Sequence, residues 1–183
     1  QKAWNEWEPD IALREPAALE RYRQLLKEQM DYHLFLQYVF YRQWDGLKRY
    51  ANERGIAIIG DIPIFVAYDS ADVWSNRHLF KLDASCRPIT IAGVPPDRFT
   101  ADGQLWGNPH YDWLRMEQDD YAWWRDRFSV LARQVDRIRI DHFLGFENYY
   151  EIPHGEPTAA NGKWVKGPGV RFFQTIKRYL GML

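Results

Sequence analysis

The chain has 183 residues, with 24 Lys and Arg against 25 Asp and Glu, for a formal net charge of −1. That balance gives no global attraction to nucleic acid or to an acidic membrane, and no apolar run approaches the ~18 residues a membrane-spanning helix needs, so neither partner is expected. A single cysteine, Cys86, excludes an internal disulfide framework and a cysteine-based zinc site and favours a reducing compartment, while 46% hydrophobic residues are enough to build a core.

The opening residues Gln1-Lys2-Ala3-Trp4 do not read as a signal peptide. Pro16 sits where a first helical turn can begin. From Ala17 to about Asn52 apolar residues recur at helical spacing, through Leu19, Tyr22, Leu25, Leu26, Met30, Leu34, Tyr38, Tyr41, Leu47 and Tyr50. The stretch is long for one helix, so two helices or one bent helix both fit. After Gly55 the run Ile56-Ala57-Ile58-Ile59-Gly60-Asp61 reads as a buried strand ending near a carboxylate. Asp69-Ser70-Ala71-Asp72-Val73-Trp74 has the pattern of a short capped helix.

Residues 75–112 are read as mostly irregular, broken by Pro88, Pro95, Pro96 and Pro109 and by Gly93, Gly103 and Gly107. A connection of that length usually has a task, such as a lid or a binding wall. Tyr111–Val135 is again helical, with Trp113, Leu114, Tyr121, Trp124, Phe128, Leu131 and Val135 as expected core positions. Arg137-Ile138-Arg139-Ile140-Asp141-His142-Phe143 alternates and predicts a second strand. Residues 144–170 form another connection, and Val170–Leu180 closes with a helical pattern. Strands separated by helices predict an α/β fold with a parallel sheet. Two strands cannot bury both faces of such a sheet, so the chain is expected to be a slice of a larger barrel or doubly wound sheet.

The 9 Trp, 11 Tyr and 10 Phe make 16% of the chain. Rings in that number fill cores and also form flat platforms for sugars or bases; base stacking would want a basic groove.

Arg139 and Asp141 lie two apart on the predicted strand and share a face, while Ile138 and Ile140 take the other. Charged groups at the carboxyl end of a parallel strand are where α/β active sites form. A neighbouring arginine favours an ionised carboxylate, as a nucleophile requires; a structural ion pair fits the same spacing. Asp61 ends the first strand similarly. It can be an acid, a base or a metal ligand, or it can tie down the following loop. The five histidines, His33, His78, His110, His142 and His154, lack metal-ligand spacing, and no phosphate loop or Gly-x-Ser-x-Gly elbow is present. No metal or cofactor is expected.

Several strings occur in order: Gly60-Asp61-Ile62-Pro63-Ile64-Phe65-Val66-Ala67, Asp69-Ser70-Ala71-Asp72-Val73-Trp74, Ala92-Gly93-Val94-Pro95-Pro96-Asp97, Trp106-Gly107-Asn108-Pro109, Arg139-Ile140-Asp141-His142-Phe143 and Trp164-Val165-Lys166-Gly167-Pro168-Gly169, with Gln43-Trp44 upstream. Together they closely resemble the 4-alpha-glucanotransferase family, also called amylomaltase or disproportionating enzyme, of the alpha-amylase clan.

The resemblance implies part of a (β/α)8 TIM barrel, around its third strand (about 56–61) and fourth (about 137–142), with helical and loop insertions. Family members are much longer, so the chain looks like an internal third. On this reading 1–53 is a helical insertion region, 54–142 holds both strands with the active-site loop and a helix, and 143–183 is the following loop and helix. The implied activity is retaining transfer of alpha-1,4-glucan segments to glucose or another glucan, with maltooligosaccharides as substrates and no cofactor.

Asp141 would be the nucleophile, and Arg139 would orient it and hold it ionised. His142 would hydrogen-bond the sugar, and Asp61 would support the site. Loop 93–108 would cover the acceptor side, shaped by Pro95, Pro96 and Asp97 and lined by Trp106 and Asn108. Tyr68, where relatives commonly carry His or Glu, and Leu144, where they often carry Arg, depart from the pattern. The general acid would lie on a following strand, outside these residues; neither Glu147 nor Glu151 matches its position, so the isolated chain is expected to be inactive. Two other readings stay open: a non-catalytic glucan-binding piece and a hydrolase of the same clan. The expected compartment is a cytoplasm, or a plastid in a photosynthetic eukaryote.

Overall fold

A computed structural model describes residues 2–181. In chain order the helices and strands are α1 (Pro9–Ala12), α2 (Pro16–Leu25), α3 (Lys27–Asn52), β1 (Ile59–Pro63), α4 (Ala71–Ser75), β2 (Thr90–Val94), β3 (Gln104–Pro109), α5 (Trp113–Gln118), α6 (Ala122–Gln134), β4 (Arg137–Asp141), β5 (Asn148–Pro153), β6 (Lys163–Lys166) and α7 (Gly169–Leu180).

Local signals account for most boundaries. Pro16 occupies the first turn of α2, where its missing N–H costs nothing. The long apolar stripe resolves into two helices because Leu26 leaves helical geometry at φ −104°, ψ 19°. Ser70 caps α4, its Oγ accepting from the Val73 N–H at 3.3 Å. The second expected helix is also two. Asp120 and Tyr121 adopt positive φ, which an α-helix of L-residues does not sustain. That break rotates the phase of α5, and Leu114, expected in the core, is 75% exposed.

The expectation of a barrel segment is corrected. The strands form two open sheets, and neither closes on itself. One is the two-stranded pair β1-β4; the other is four-stranded in the order β3-β2-β5-β6. A barrel requires strand pairing that returns to its starting strand, and each of these sheets ends in two edges. The four-stranded sheet is antiparallel throughout. It is built from the segments 75–112 and 144–170 that the sequence reads as mostly irregular. In β1 the only buried residue is Ile62, and Ile56 and Ile59 are exposed, so the expected buried strand is not found there either.

The chain divides into two compact units, Gln1–Asp61 with Ser129–Arg139, and Ile62–Phe128 with Ile140–Leu183. In the first, the Trp44 indole N–H donates to the Gln134 carbonyl at 2.7 Å, and the Gln134 amide donates to the Tyr41 hydroxyl at 3.0 Å. Gly60 lies close against Val135: a Cβ there would come within 2.7 Å of Val135 Cγ1. No residue of α3 is buried.

The second unit has an aromatic interior. Trp124 and Phe172 are fully buried, and Trp113, Tyr121, Phe128 and Phe146 are nearly so. Ring centroids of Phe146 and Phe172 lie 4.8 Å apart, and those of Trp124 and Phe172 5.5 Å. Such pairs add about 0.5–1.5 kcal/mol beyond their buried area. In the antiparallel sheet, the register of β2 against β3 shifts between Ile91 and Gly93, with the extra residues on β3 between Leu105 and Pro109. Gly93 is required there, because a Cβ would stand 2.0 Å from the Gln104 carbonyl oxygen. Among the described residues no helix is long and apolar enough to cross a membrane.

Candidate active site

In the first unit the structure joins two of the sequence candidates. Arg139 Nε donates to Asp61 Oδ1 at 2.9 Å, and Arg139 Nη2 donates to Asp61 Oδ2 at 2.6 Å. A planar guanidinium meeting a carboxylate at two points fixes orientation as well as proximity. The strand register explains the meeting. Asp136 N and Arg137 N both donate to the Ile58 carbonyl, at 2.9 and 3.2 Å, and three residues later along each strand Asp61 meets Arg139. The contacts advance together, so β1 and β4 run parallel.

Asp141 closes β4, where exposed and half-buried residues alternate. Arg139 and Asp141 are both on its exposed face, as period-two geometry dictates. His142 follows directly in the left-handed region at φ 50°, ψ 47°. A bulky residue in this region costs about 1–2 kcal/mol, and such positions cluster at functional sites. The turn carries the chain out of β4 into a 3-10 turn, Phe143–Phe146, with the Gly145 N–H donating to the His142 carbonyl at 2.9 Å.

The His142 ring has aromatic neighbours within the second unit. Trp106 meets it edge-on, with centroids 5.0 Å apart, and Phe65 lies at 6.5 Å. Burial pushes the His142 imidazole below its ordinary pKa, with the Asp141 charge opposing. The Trp106 indole N–H donates to Gln104 Oε1 at 2.9 Å.

Asn108 turns its amide inward, donating to the Val66 carbonyl at 2.9 Å. Nearby, the buried Tyr111 hydroxyl donates to the Ile64 carbonyl at 2.7 Å. These two bonds hold the backbone on either side of Phe65, whose ring lies 5.2 Å from that of His110 and 6.0 Å from that of Tyr111. Phe65 and Tyr111 are not among the candidates read from sequence. Phe65 stands there only within the string Gly60–Ala67, and Tyr111 only as the first residue of a helical pattern.

Pro96 and Asp97 lie in the β2–β3 connection and are exposed. Asp97 Oδ1 accepts from the Phe99 and Thr100 N–H groups, both at 2.8 Å, and from the Thr100 hydroxyl at 3.1 Å. Those bonds lower its pKa from the ordinary carboxylate value and stiffen the loop.

Of the two other acidic candidates, Glu151 is 6% exposed and ion-paired with Lys81, and it accepts from the Tyr149 hydroxyl at 3.2 Å. Glu147 is exposed. The variant position Tyr68 donates its hydroxyl to the Cys86 carbonyl at 2.8 Å; nothing in the structure explains Leu144. Among the described residues no group of three or more His, Cys, Asp and Glu could hold a metal ion.

A family model described as 4-alpha-glucanotransferase matches residues 1–182. The 4-alpha-glucanotransferase of Streptococcus pneumoniae is 52% identical over 99% of the chain, which covers 36% of that relative. The enzyme of the same name from Aquifex aeolicus is 49% identical over 97% of the chain and 37% of the relative. Among solved structures, an amylomaltase from Streptococcus agalactiae in complex with acarbose superposes with a TM-score of 0.95, at 50% identity over 100% of this chain and 37% of that one. The amylomaltase of Corynebacterium glutamicum, at 22% identity and a TM-score of 0.71 over 86% of this chain and 22% of that one, shares the fold. The chain therefore spans little more than a third of the length of these close relatives. With the family model matched across almost the whole sequence, the chain belongs to the 4-alpha-glucanotransferase family.

Proposed function

We propose that this chain carries the nucleophile-bearing part of a retaining 4-alpha-glucanotransferase. Family membership supports the reaction class. The observation that carries the reading is the two-point pairing of Arg139 with Asp61, which fixes an arginine two residues before Asp141 on one face of β4.

In the proposed reaction an Asp141 carboxylate oxygen bonds to the anomeric carbon as the bond to the glycosidic oxygen breaks. The departing sugar oxygen takes a proton from a second carboxyl group. In the reverse sense, the 4-hydroxyl oxygen of glucose or another alpha-1,4-glucan bonds to the anomeric carbon as its bond to Asp141 breaks, and the hydroxyl proton returns to that second group. Retention requires the two carboxyls to lie about 5–5.5 Å apart. Glu151 is unsuited to the second role, being buried and committed to Lys81 and Tyr149. We assign that role to another part of the polypeptide.

Arg139 orients the nucleophile. His142, held against Trp106, offers one imidazole N–H to a sugar hydroxyl. Trp106 supplies an apolar edge, Asn108 and Asp97 stiffen the wall around it, and Pro96 helps shape the covering loop. A wall that excludes water favours transfer, because a sugar hydroxyl must reach the intermediate before water does. The acarbose bound by the related amylomaltase of S. agalactiae fits maltooligosaccharide-like ligands here.

The test is Asp141→Asn in the full polypeptide. Turnover of maltotriose should fall by about 10⁴-fold or more, with glucan binding largely kept. Unchanged turnover would refute the nucleophile assignment. The unmodified enzyme should convert maltotriose to glucose plus longer oligomers; shorter sugars alone would mean hydrolysis.

A further inference from the structure

The strand pair β1-β4 has no local device that sets its register. No hairpin joins it, since β1 ends at Pro63 and β4 begins at Arg137. Hydrophobic burial is a weak guide too, because Ile62 is the only buried residue of the two strands. Registers of that kind slip easily, and a slip of one residue turns every side chain to the opposite face. Here a slip would set an isoleucine of β4 against Asp61 in place of Arg139.

What stands at the start of both strands is Asp136. Its Oδ2 accepts from the Ile58 N–H at 2.8 Å and from the Asn52 amide at 2.8 Å. Its Oδ1 lies 3.3 Å from Lys48 Nζ. Its own N–H donates to the Ile58 carbonyl at 2.9 Å. Asp136 thus meets both polar groups of Ile58, sharing the carbonyl with the Arg137 N–H at 3.2 Å, and Asn52 and Lys48 of α3 hold Asp136 in turn. The carboxylate is partly shielded, with 25% of the side chain exposed.

We propose that Asp136 is a positioning residue: by clamping Ile58 it sets the register of β1 against β4, and so delivers Arg139 to Asp61 three residues further on. Its effect on turnover rests on the glucanotransferase reading above; its effect on register does not. Asp136 acts through the Asp61–Arg139 pair, about 10 Å away along the strands.

The kinetic test uses Asp136→Ala and Asp136→Asn in the full polypeptide, with rates normalised to folded protein. The alanine variant should lower kcat for maltotriose by about 100-fold, the loss expected when Arg139 no longer meets Asp61, and leave KM unchanged. Asparagine keeps an oxygen for the Ile58 N–H and should restore most of kcat. An unchanged kcat in the alanine variant, or an effect confined to KM, overturns the proposal.

A second measurement is independent of catalysis. Groups more than about 7–10 Å apart normally contribute additively to stability. Urea midpoints of Asp136→Ala, Arg139→Ala and the double variant should be non-additive, because once the register slips Arg139 has little left to lose. Additive midpoints overturn the proposal whatever the enzyme does. Non-additive midpoints together with full turnover in Asp141→Asn would keep the register clamp and reject the catalytic reading.

Discussion

The aromatic interior of the second unit and the strand pair β1-β4 are held by different chemistry. In the second unit, rings of Trp113, Tyr121, Trp124, Phe128, Phe146 and Phe172 pack in an interior with little or no exposure. In the strand pair, the contacts that align β1 and β4 are polar: Asp136 on Ile58, Asn52 and Lys48, and Arg139 on Asp61. The Arg139 and Asp61 side chains are 63% and 51% exposed. Ion pairs that exposed contribute only about 0–1 kcal/mol. The contrast separates two tasks. Non-directional burial supplies stability, while directional polar contacts decide which side chains meet.

The sharpest way to break that contrast is to remove a ring. Phe172→Ala should destabilise the second unit by about 3–5 kcal/mol, as expected for a fully buried aromatic, read by urea or thermal unfolding. A loss below about 1 kcal/mol would mean that the ring stack is not where this unit's stability lies.

The converse experiment alters the polar pair. Asp61→Asn removes the charge that Arg139 grips and should cost at most about 1 kcal/mol of stability. In the full polypeptide it should nevertheless cut turnover about 100-fold, because Arg139 is released from its orientation. If stability and turnover fell together, Asp61 would belong with the rings as a structural element.

The same division decides what could be read from the sequence. The shared face of Arg139 and Asp141 is legible in the sequence because strand alternation dictates it, and a family-like string draws the eye to His142 beside them. The partner of Arg139 is not legible, since Asp61 lies 78 positions away and only the register joins them. Asp136 is silent in the sequence for the same reason: an aspartate before a strand carries no local mark of the backbone it will hold. Four of the six strands are not predicted from the sequence because they are short, and β2 and β3 also carry breakers within them. Thr90–Val94 contains Gly93, and Gln104–Pro109 contains both Gly107 and Pro109. In such segments breaker residues outweigh a four- to six-residue alternation. The barrel expectation failed one level higher. Two helix-flanked strands suggested parallel closure, while an antiparallel sheet was folded from the connections between them. The apolar stripe on α3 reads as helical and is helical, yet periodicity alone does not say that a face is covered.

A smaller effect probes how dry the aromatic unit is. His110 is fully buried beside Tyr149 and Phe65, with Nδ1 2.9 Å from the Thr90 hydroxyl. Burial depresses its pKa to about 4; the Glu151 charge opposes the shift and Lys81 reinforces it. In the unfolded chain a histidine titrates near its ordinary value of about 6.5. Below that value the unfolded state takes up a proton that folded His110 refuses, so stability falls as pH drops from about 6.5 and levels off below about 4. Between pH 7 and pH 5 the loss should be about 2 kcal/mol. His110→Gln removes the titrating group, so urea unfolding of this variant should lose that much less stability over the same interval. Identical pH dependence in the two proteins would mean that His110 accepts its proton in the folded state. Water would then reach the layer between Phe65 and Tyr149, and the order there would rest on polar contacts, as the alignment of β1 with β4 does.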